Sequence, residues 1–349
     1  MAAMAAGLTT SSSSSSIFSI IAAASSNTYS KSKRTRRPQN VDGDLFVDNT
    51  CIDCDTCRWM APEIFDRQDG MSAVFKQPTC DEERLKALQQ YGESSSSLKC
   101  LFGHVMNMRS WSDQALLSCP TNSIHTEQPP RDILDVHKTF PCPIDEQKIP
   151  GVYHCGYHSE KSYGATSYFI TRPKGNILID SPRYTDRLAS NIKKMGGARY
   201  MFLTHKDDVA DHDKWSKELG CTRILHSQDE CHSTADVEIK LEGSGPWTLD
   251  SDVILVHTPG HTAGSVCLFY KTRKVLFTGD HLLMDEFGLS ILEHYNWFSV
   301  SEQLNSVHKL LELDFEWILP GHGRRATFRD AEDKNLALEA LLAAQGVQY

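Results

Sequence analysis

Residues 256–265 read Val-His-Thr-Pro-Gly-His-Thr-Ala-Gly-Ser, an apolar strand end followed at once by a sharp turn. Proline and glycine allow the chain to turn there, and the turn carries a histidine. Three more apolar runs end in turns with potential metal ligands, at residues 201–212, 275–280 and 317–323. Because strand ends present their side chains at one shared edge of a sheet, the four segments together predict a metal site.

The chain from about residue 149 onward alternates between apolar runs and helical stretches, which is typical of a layered α/β domain. The predicted strands are 164–170, 176–179, 200–203, 252–256, 266–270, 274–277 and 315–319, and the predicted helices lie around 214–219 and over 330–344.

Taken together and in this order, the ligand segments resemble those of the metallo-β-lactamase superfamily of metallo-hydrolases and oxidoreductases, over about residues 149–325. The Thr-Pro-Gly-His-Thr-x-Gly-Ser segment and the Thr-Gly-Asp of residues 278–280 are close to the family's usual forms. The run Gly-Asn-Ile-Leu-Ile-Asp at residues 175–180 also resembles the early strand before the family's metal loop. The resemblance implies a four-layer αββα domain.

The resemblance also implies ligands for one or two divalent ions, zinc or iron. His205 and His261 would bind the first ion. Asp211 and His212 match the family's Asp-His pair and would bind the second ion, and Asp211 would also act in catalysis by orienting the attacking water. A metal-bound water becomes a hydroxide near neutral pH, which is the nucleophile of such sites.

Two further ligands are implied, since Asp280 would bridge the two ions and His322 would complete the second site. The segment 205–212 departs from the family's His-x-His-x-Asp-His, because it reads His-Lys-Asp-Asp-Val-Ala-Asp-His. Asp207 stands where the second histidine should be. Either it replaces that imidazole, or the site binds metal weakly or holds one ion; Asp208 is the weaker substitute, because its side chain alternates to the other side of an extended loop. A carboxylate here favours iron or manganese over zinc, and flavodiiron proteins, which share this fold, also use one.

A second group of metal-binding residues lies earlier in the chain. Cys51, Cys54 and Cys57 follow one another at intervals of three, so that one loop can hold three corners of an iron–sulfur cluster. Cys119, followed by proline at the end of a short helical stretch, is the leading candidate for the fourth ligand. The pattern resembles single-cluster bacterial-type ferredoxins over about residues 44–127, which implies a small α+β module with one 4Fe–4S cluster.

Some alternatives remain open for this cysteine group. Cys142 also precedes a proline, although it lies in a proline-rich stretch, and four thiolates would also suit zinc. The gap between the third cysteine and Cys119 is long, and a serine run at 94–97 reads as an insertion within it. The remaining cysteines are expected to be small buried apolar residues. Histidines outside the four segments, such as His154, His158 and His226, are expected at the surface.

The first 41 residues differ in composition from the rest of the chain. They contain no Asp or Glu, a run of six serines and five basic residues, which is typical of an organellar transit peptide and favours the chloroplast stroma. Loss of these five charges would change the net charge of −9 to −14. An acidic body without a basic stripe argues against nucleic acid as a partner, and no apolar run is long enough to span a membrane.

The predicted organisation is therefore a disordered transit peptide at 1–41, a ferredoxin-like module at 42–127, a linker at 128–148 and a metallo-β-lactamase-like domain at 149–349. We expect a metal-dependent hydrolase of an ester, thioester or phosphoester, with a small-molecule substrate. One alternative is an iron-dependent redox enzyme that receives electrons from the cluster and has an electron donor or acceptor protein as its partner. The other is a non-catalytic plastid sensor or assembly factor. Fold alone does not choose among them.

Overall fold

The computed structural model describes residues 34–78, 112–128 and 133–346. The predicted leader up to residue 33 and the serine run at 94–97 lie outside these ranges. The described residues from Arg36 onward belong to one compact unit. Within the described part, no helix combines the length and the apolar character that a membrane crossing requires.

The first module consists of short strands and helices around its own small core. Strand β1 pairs antiparallel with β4, and β2 with β3. Its elements are β1 (Leu45–Val47), α1 (Thr56–Met60), β2 (Phe65–Gln68), β3 (Met71–Val74), α2 (residues 112–118) and β4 (Ile124–Thr126). Its core residues include Leu45, Ile64, Phe65, Val74 and Ile124.

A seven-stranded sheet with three helices follows, in the strand order β11-β10-β9-β8-β7-β6-β5. In chain order its elements are α3 (Ile133–Thr139), β5 (Cys142–Pro143), β6 (Val152–His154), β7 (Tyr168–Ile170), β8 (Ile177–Ile179), α4 (Asp186–Lys194), β9 (Tyr200–Phe202), α5 (His212–Leu219), β10 (Thr222–His226) and β11 (Ile239–Leu241). The strands from β8 to β11 are parallel neighbours, and the others pair antiparallel.

A six-stranded sheet in the order β12-β13-β14-β15-β18-β19 forms the second half of the domain. Its elements, with the hairpin β16–β17 and two helices, are β12 (Trp247–Asp250), β13 (Val253–His257), β14 (Val266–Tyr270), β15 (Val275–Gly279), β16 (Leu283–Met284), β17 (Leu289–Ser290), α6 (Val300–Lys309), β18 (Trp317–Pro320), β19 (Ala326–Thr327) and α7 (Ala331–Ala344). Short 3-10 turns lie at Glu160–Ser162, Ser227–Asp229, Lys271–Arg273, Glu293–Tyr295 and Leu310–Glu312.

Strand β14 shows why the domain has four layers. All five of its residues are buried, and successive side chains point to opposite faces of the sheet. Val266, Leu268 and Tyr270 pack against the seven-stranded sheet, whereas Cys267 and Phe269 pack against α6 and α7. Helices α3, α4 and α5 cover the outer face of the other sheet. The predicted αββα architecture is confirmed.

The predicted linker at 128–148 is wrong for its second half. Helix α3 and strand β5 belong to the large domain, because Val136 and Phe140 are buried in its core and Cys142 pairs with His154 of β6. The Asn191 side chain donates to the carbonyl of Phe140 at 2.8 Å. The prolines on either side of Cys142 suggested a linker, but proline is tolerated in the edge strand that β5 forms.

The predicted leader boundary at residue 41 is also too late. Arg37 is buried and donates to the backbone carbonyls of Ser72 and Gln68. The Asn40 side chain accepts from the backbone N–H groups of Val47 and Val74, both at 3.0 Å. Residues 36–41 are therefore part of the first module, and only the segment before them remains a predicted leader.

Replacement of Asn40 by alanine should destabilise the first module by about 2 kcal/mol, because two buried N–H groups lose their acceptor. Unfolding of the anaerobically purified protein in urea, followed by circular dichroism, would measure this change. The matched control is Gln39→Ala, which removes one exposed hydrogen bond to Asp69 and should cost less than about 0.5 kcal/mol. Equal effects of the two substitutions would contradict the assignment of residues 36–41 to the fold.

Candidate metal centre and cysteine site

The predicted ligand segments all lie at strand ends. His205 follows β9 by three residues, Asp280 follows β15 directly and His322 follows β18 by two residues. Since β15 and β18 are parallel neighbours, Asp280 and His322 leave the sheet at the same end. His261 lies in the turn after β13. The two sheets thus bring side chains from four distant segments to one edge.

One group of ligands consists of His205, Asp207 and His261. The Oδ2 atom of Asp207 lies 4.0 Å from Nε2 of His205 and 3.6 Å from Nε2 of His261. The two imidazole rings are nearly perpendicular, with centroids 4.9 Å apart. The structure therefore brings the Asp207 carboxylate close to both imidazoles, as a replacement of the missing histidine by Asp207 would require.

The proton on His205 is directed away from this group. The Thr204 hydroxyl lies within hydrogen-bonding distance of the Asp180 carboxylate and at 3.0 Å from Nδ1 of His205. Because a hydroxyl has a single proton and the carboxylate accepts it, Thr204 accepts from Nδ1–H of His205. Nε2 of His205 is then the atom with a free lone pair, and it faces Asp207 and Asp280.

A second group consists of Asp208, Asp280 and His322. Its Asp280 also faces the first group, with Oδ2 3.8 Å from Nε2 of His205 and 3.7 Å from Nε2 of His261. Nδ1 of His322 lies 2.8 and 2.9 Å from the two oxygens of Asp280. Ligand atoms of His205, Asp208 and Asp280 all lie within 4.8 Å of one another. At Gly321 an added Cβ would lie 2.8 Å from an oxygen of both Asp208 and Asp280, so this position has room only for glycine.

Several ligand atoms are buried without a hydrogen-bond partner, which is costly unless a cation binds them. These atoms are Nε2 of His205, Oδ2 of Asp207, both oxygens of Asp208 and both ring nitrogens of His261. The set consists of imidazoles and carboxylates at short mutual distances, and it fits one or two divalent ions.

The electrostatics of the carboxylates supports the same interpretation. Burial disfavours ionisation of Asp280, but the adjacent histidines, His322 above all, outweigh it and hold the pKa of Asp280 well below its usual range. Burial, with Asp280 and Asp180 nearby, raises the pKa of Asp208 well above its usual value. Burial also raises the pKa of Asp180 to about 7, against its hydrogen bonds from Thr204. A bound cation would relieve this repulsion.

The structure does not bring Asp211 and His212 into this site. Asp211 accepts from Nζ of Lys161 at 2.8 Å and from the backbone N–H of Tyr184 at 3.0 Å. His212 begins α5, and its Nε2 lies 3.1 Å from the carbonyl of Ser233. The two additional residues before this pair place it at the start of the helix, away from the cluster. Asp208, which the sequence analysis weighed only as the weaker substitute for the missing histidine, lies instead within the cluster, near His205 and Asp280.

The histidines outside the ligand segments were expected at the surface, and for three of them this is wrong. His154, His158 and His226 are all about 1% exposed or less. Burial strongly lowers the pKa of His154 and lowers the pKa of His158 to about 3, so both are neutral. Both lie near the boundary between the modules, where the sequence pattern gives no signal.

The four predicted cluster ligands line one cavity of the first module. Cys51, Cys54, Cys57 and Cys119 all face this space. Burial, together with the neighbouring thiols, raises the pKa of Cys57 well above its usual value, as expected for a thiol without a metal. The rival Cys142 lies instead in β5, with Sγ 3.8 Å from Nδ1 of His154.

Comparisons with known families match both modules. The model of the 4Fe-4S single cluster domain of Ferredoxin I matches residues 47–92, and the model of the metallo-beta-lactamase superfamily matches residues 209–322. The first match contains the three closely spaced cysteines. The second begins within the altered segment, after His205, Asp207 and Asp208, and contains Asp211, His212, His261, Asp280 and His322.

Several curated proteins are similar to part of the chain. The lactamase-like protein aptB of Emericella nidulans is 26% identical over 178 residues, 49% of this chain and 54% of that protein. The acyl-coenzyme A thioesterase MBLAC2 of Homo sapiens is 34% identical over 77 residues, 21% and 26% of the two chains. The hydroxyacylglutathione hydrolase of Rhizobium etli is 27% identical over 107 residues, 30% and 41% of the two chains. The chain thus spans about half of the first relative and less of the others.

Among solved structures, a metallo-beta-lactamase family protein from Thermus thermophilus has a TM-score of 0.43 and 17% identity, covering 57% of this chain and 80% of that chain. The BLEG-1 B3 metallo-beta-lactamase has a TM-score of 0.42 and 18% identity, covering 50% and 93%. The family models thus find a 4Fe–4S single-cluster ferredoxin domain at residues 47–92, followed by a metallo-β-lactamase superfamily domain at residues 209–322.

Replacement of Asp208 by asparagine should lower the metal content of the large domain, whereas Asp211→Asn should leave it unchanged. Asp208 has two unpartnered buried oxygens in the ligand cluster, and Asp211 is already bound to Lys161. Elemental analysis of the metal-loaded variants, with affinity measured by competition with a chromophoric chelator, would test this. We expect a loss of affinity of about 10-fold or more for Asp208→Asn. A loss of metal in Asp211→Asn but not in Asp208→Asn would support Asp211 as the ligand, as the sequence predicted.

Asp208→Asn should also stabilise the metal-free protein, and more so at higher pH. An unfolded Asp ionises near pH 4, but the raised pKa keeps Asp208 protonated in the fold, so stability falls as pH rises above that value. The melting temperatures of wild type and variant should be equal near pH 4, and that of the variant should become the higher towards pH 7. Each kcal/mol of difference in the free energy of unfolding should shift the melting temperature by about 2–4 °C. Thermal melts after chelator treatment would show this, with the exposed Asp213→Asn as control. A difference in melting temperature that stays constant between pH 4 and pH 7 would contradict the raised pKa of Asp208.

Proposed function

We propose that this protein is a metal-dependent hydrolase that cleaves an acyl ester or thioester of a small molecule. The observation that carries the proposal is the buried cluster of imidazole and carboxylate atoms without partners. His205, Asp207 and His261 would hold one ion, and Asp208, Asp280 and His322 the other, with Asp280 shared. Metal ions bound there would supply a hydroxide near neutral pH and polarise the substrate carbonyl.

Several groups of the chain prepare this site. Thr204 fixes His205 with its Nε2 lone pair towards the cluster. The carbonyl of Tyr163 lies 3.4 Å from Nε2 of His322 and accepts its proton, so that the ring presents Nδ1 to Asp280. Asp229 accepts from Thr262 at 2.6 Å and thereby holds the turn that carries His261. These contacts fix ligand orientation before metal or substrate binds.

Two residues with exposed aromatic side chains contact metal-ligand residues through their backbones, which supports an acyl substrate. Tyr163, whose backbone carbonyl contacts His322, is 69% exposed, and Trp297, whose backbone N–H donates to the carbonyl of His261, is 65% exposed. Large exposed apolar side chains beside a polar site are typical of ligand contacts. The relatives named acyl-coenzyme A thioesterase and hydroxyacylglutathione hydrolase support the same reaction class.

Hydrolysis of acyl-coenzyme A thioesters, followed by thiol release, tests the proposal. Wild-type protein should lose activity with a chelator and regain it with added metal. Asp280→Asn should lower kcat/KM by about 10²-fold or more, because a shared ligand is lost. Trp297→Ala should raise KM for long acyl chains by about 10-fold, and the exposed Leu336→Ala on α7 should not. Activity that is indifferent to chelator and to Asp280→Asn would refute the proposal.

The cysteine cavity supports a 4Fe–4S cluster over zinc. Within the described ranges, no three of the four sulfurs lie within 4.8 Å of one another. A single zinc ion, with Zn–S distances of about 2.3 Å, would hold its four sulfurs about 3.8 Å apart. The wider spacing suits a cluster in which each sulfur binds a different iron.

A redox reaction is the second candidate function, and the carboxylate content of the site favours it. Asp207, Asp208 and Asp280 give a harder ligand set than three imidazoles, which favours iron over zinc. Iron in the large domain of natively purified protein, reoxidised by oxygen after reduction of the cluster, would support this candidate. Zinc there with thioesterase activity would exclude it.

A plastid location is part of the proposal, supported by the acid-free, serine-rich and basic composition of the first residues. A fluorescent fusion to residues 1–41 should enter chloroplasts. Cytosolic fluorescence from this fusion would refute the plastid location but would not bear on the proposed reaction.

A further inference from the structure

The turn at residues 159–166 contacts both the cysteine cavity and the ligand cluster. We propose that this turn, here called the bridging turn, positions His322 according to whether the cysteine cavity holds its cluster. The inference rests on the proposed metal centre but not on the reaction that the centre catalyses. In this view the first module controls the metal affinity of the second.

On the cysteine side, the bridging turn lies directly against a predicted cluster ligand. Gly164 has a φ of +89°, and an added Cβ would lie 2.8 Å from Cβ and 3.3 Å from Sγ of Cys54. The same Cβ would lie 3.2 Å from Cγ of Pro120, the residue after Cys119. The backbone of the turn therefore occupies the space beside two of the four ligands.

His158, just before the turn, adds two contacts on this side. Its Nδ1 lies 2.8 Å from the carbonyl of Gly164 and 3.0 Å from the hydroxyl of Thr56. Thr56 also lies 3.4 Å from Sγ of Cys54. The backbone N–H of His158 donates to the carbonyl of Ser118 at 3.2 Å. A shift of either cysteine segment would thus be transmitted to the turn.

On the metal side, the bridging turn contacts the segment of His322 at two points. The carbonyl of Tyr163 faces Nε2 of His322, and the N–H of Thr166 donates to the carbonyl of Gly321 at 2.7 Å. Gly321 is the position without room for a Cβ between Asp208 and Asp280. Movement of the turn would therefore alter the orientation of one ligand and the position of the backbone that supports two others.

The turn is rigid enough to transmit such a shift. Gly164 N–H donates to the carbonyl of Ser159, and Ala165 N–H to that of Ser162, both at 2.8 Å. Tyr163 has a φ of 49°, a left-handed conformation that is unfavourable for a non-glycine residue and is held by these bonds. Loss of the cluster would remove the support behind Gly164, and we expect Tyr163 to relax and His322 to turn away.

A parallel contact joins the same regions. Asp55, between two cluster cysteines, accepts from Arg58 at 2.6 Å and lies 3.4 Å from Nε of Arg324. Arg324 lies two residues after His322. The segment of His322 therefore contacts the bridging turn through Gly321 and the cysteine loop through Arg324.

Cobalt in the large domain of the anaerobically purified full chain tests the inference, because its visible spectrum reports ligand geometry independently of activity. Gly164→Ala should lower cobalt affinity by about 10-fold or more and change the spectrum, although Gly164 is not a ligand. The matched control is Gly197→Ala, which has a similar φ of +68° but no neighbour within 4 Å of the added Cβ. It should change neither property.

Cys54→Ser leaves the sequence of the bridging turn unchanged but impairs the cluster, and it should produce the same loss of cobalt affinity and the same spectral change. The control for thiol loss is the exposed Cys231→Ser, which should behave like wild type. Cobalt affinity and spectrum that stay unchanged in both Gly164→Ala and Cys54→Ser would overturn the inference and leave the metal centre standing. A wild-type chain that binds no cobalt would remove the metal centre itself, and the inference with it.

Discussion

Three carboxylates converge at one edge of the β-sandwich, with Asp208 and Asp280 buried and Asp207 half-buried, and their close approach constrains the rest of the structure. Ionised carboxylates are costly in such surroundings unless cations compensate them. The imidazoles of His205 and His261 face them with unprotonated or unpartnered nitrogens. A divalent metal would satisfy all of these groups together, and the proposed hydrolysis depends on such an ion.

The arrangement depends on how the two sheets and the first module are joined. The parallel pair β15 and β18 sets Asp280 beside His322, and the bridging turn then lies between His322 and the cysteine loop. The turn thus contacts both the cysteine loop and the segment of His322. In our proposal, this shared contact is the physical reason for the fusion of the two modules.

Sequence patterns predicted the features that local chemistry determines. The apolar run of β14 and the helix α7 were found almost at their predicted bounds, since burial and helix formers mark them directly. The spacing could not predict that Asp208, and not Asp211, lies in the ligand cluster, because this depends on where α5 begins and on which way the loop before it faces. The burial of His158 was missed for a related reason: its surroundings come from the other module.

The central claim is that Asp208, and not Asp211, joins His205, Asp207, His261, Asp280 and His322 around metal. A crystal structure of cobalt- or zinc-loaded protein, with anomalous difference maps collected at the metal edge, tests it most directly. The account predicts one or two peaks in contact with these side chains, with the Asp211 carboxylate still on Lys161. A peak held by Asp211 and His212, or no peak between the sheets in fully loaded protein, would contradict it.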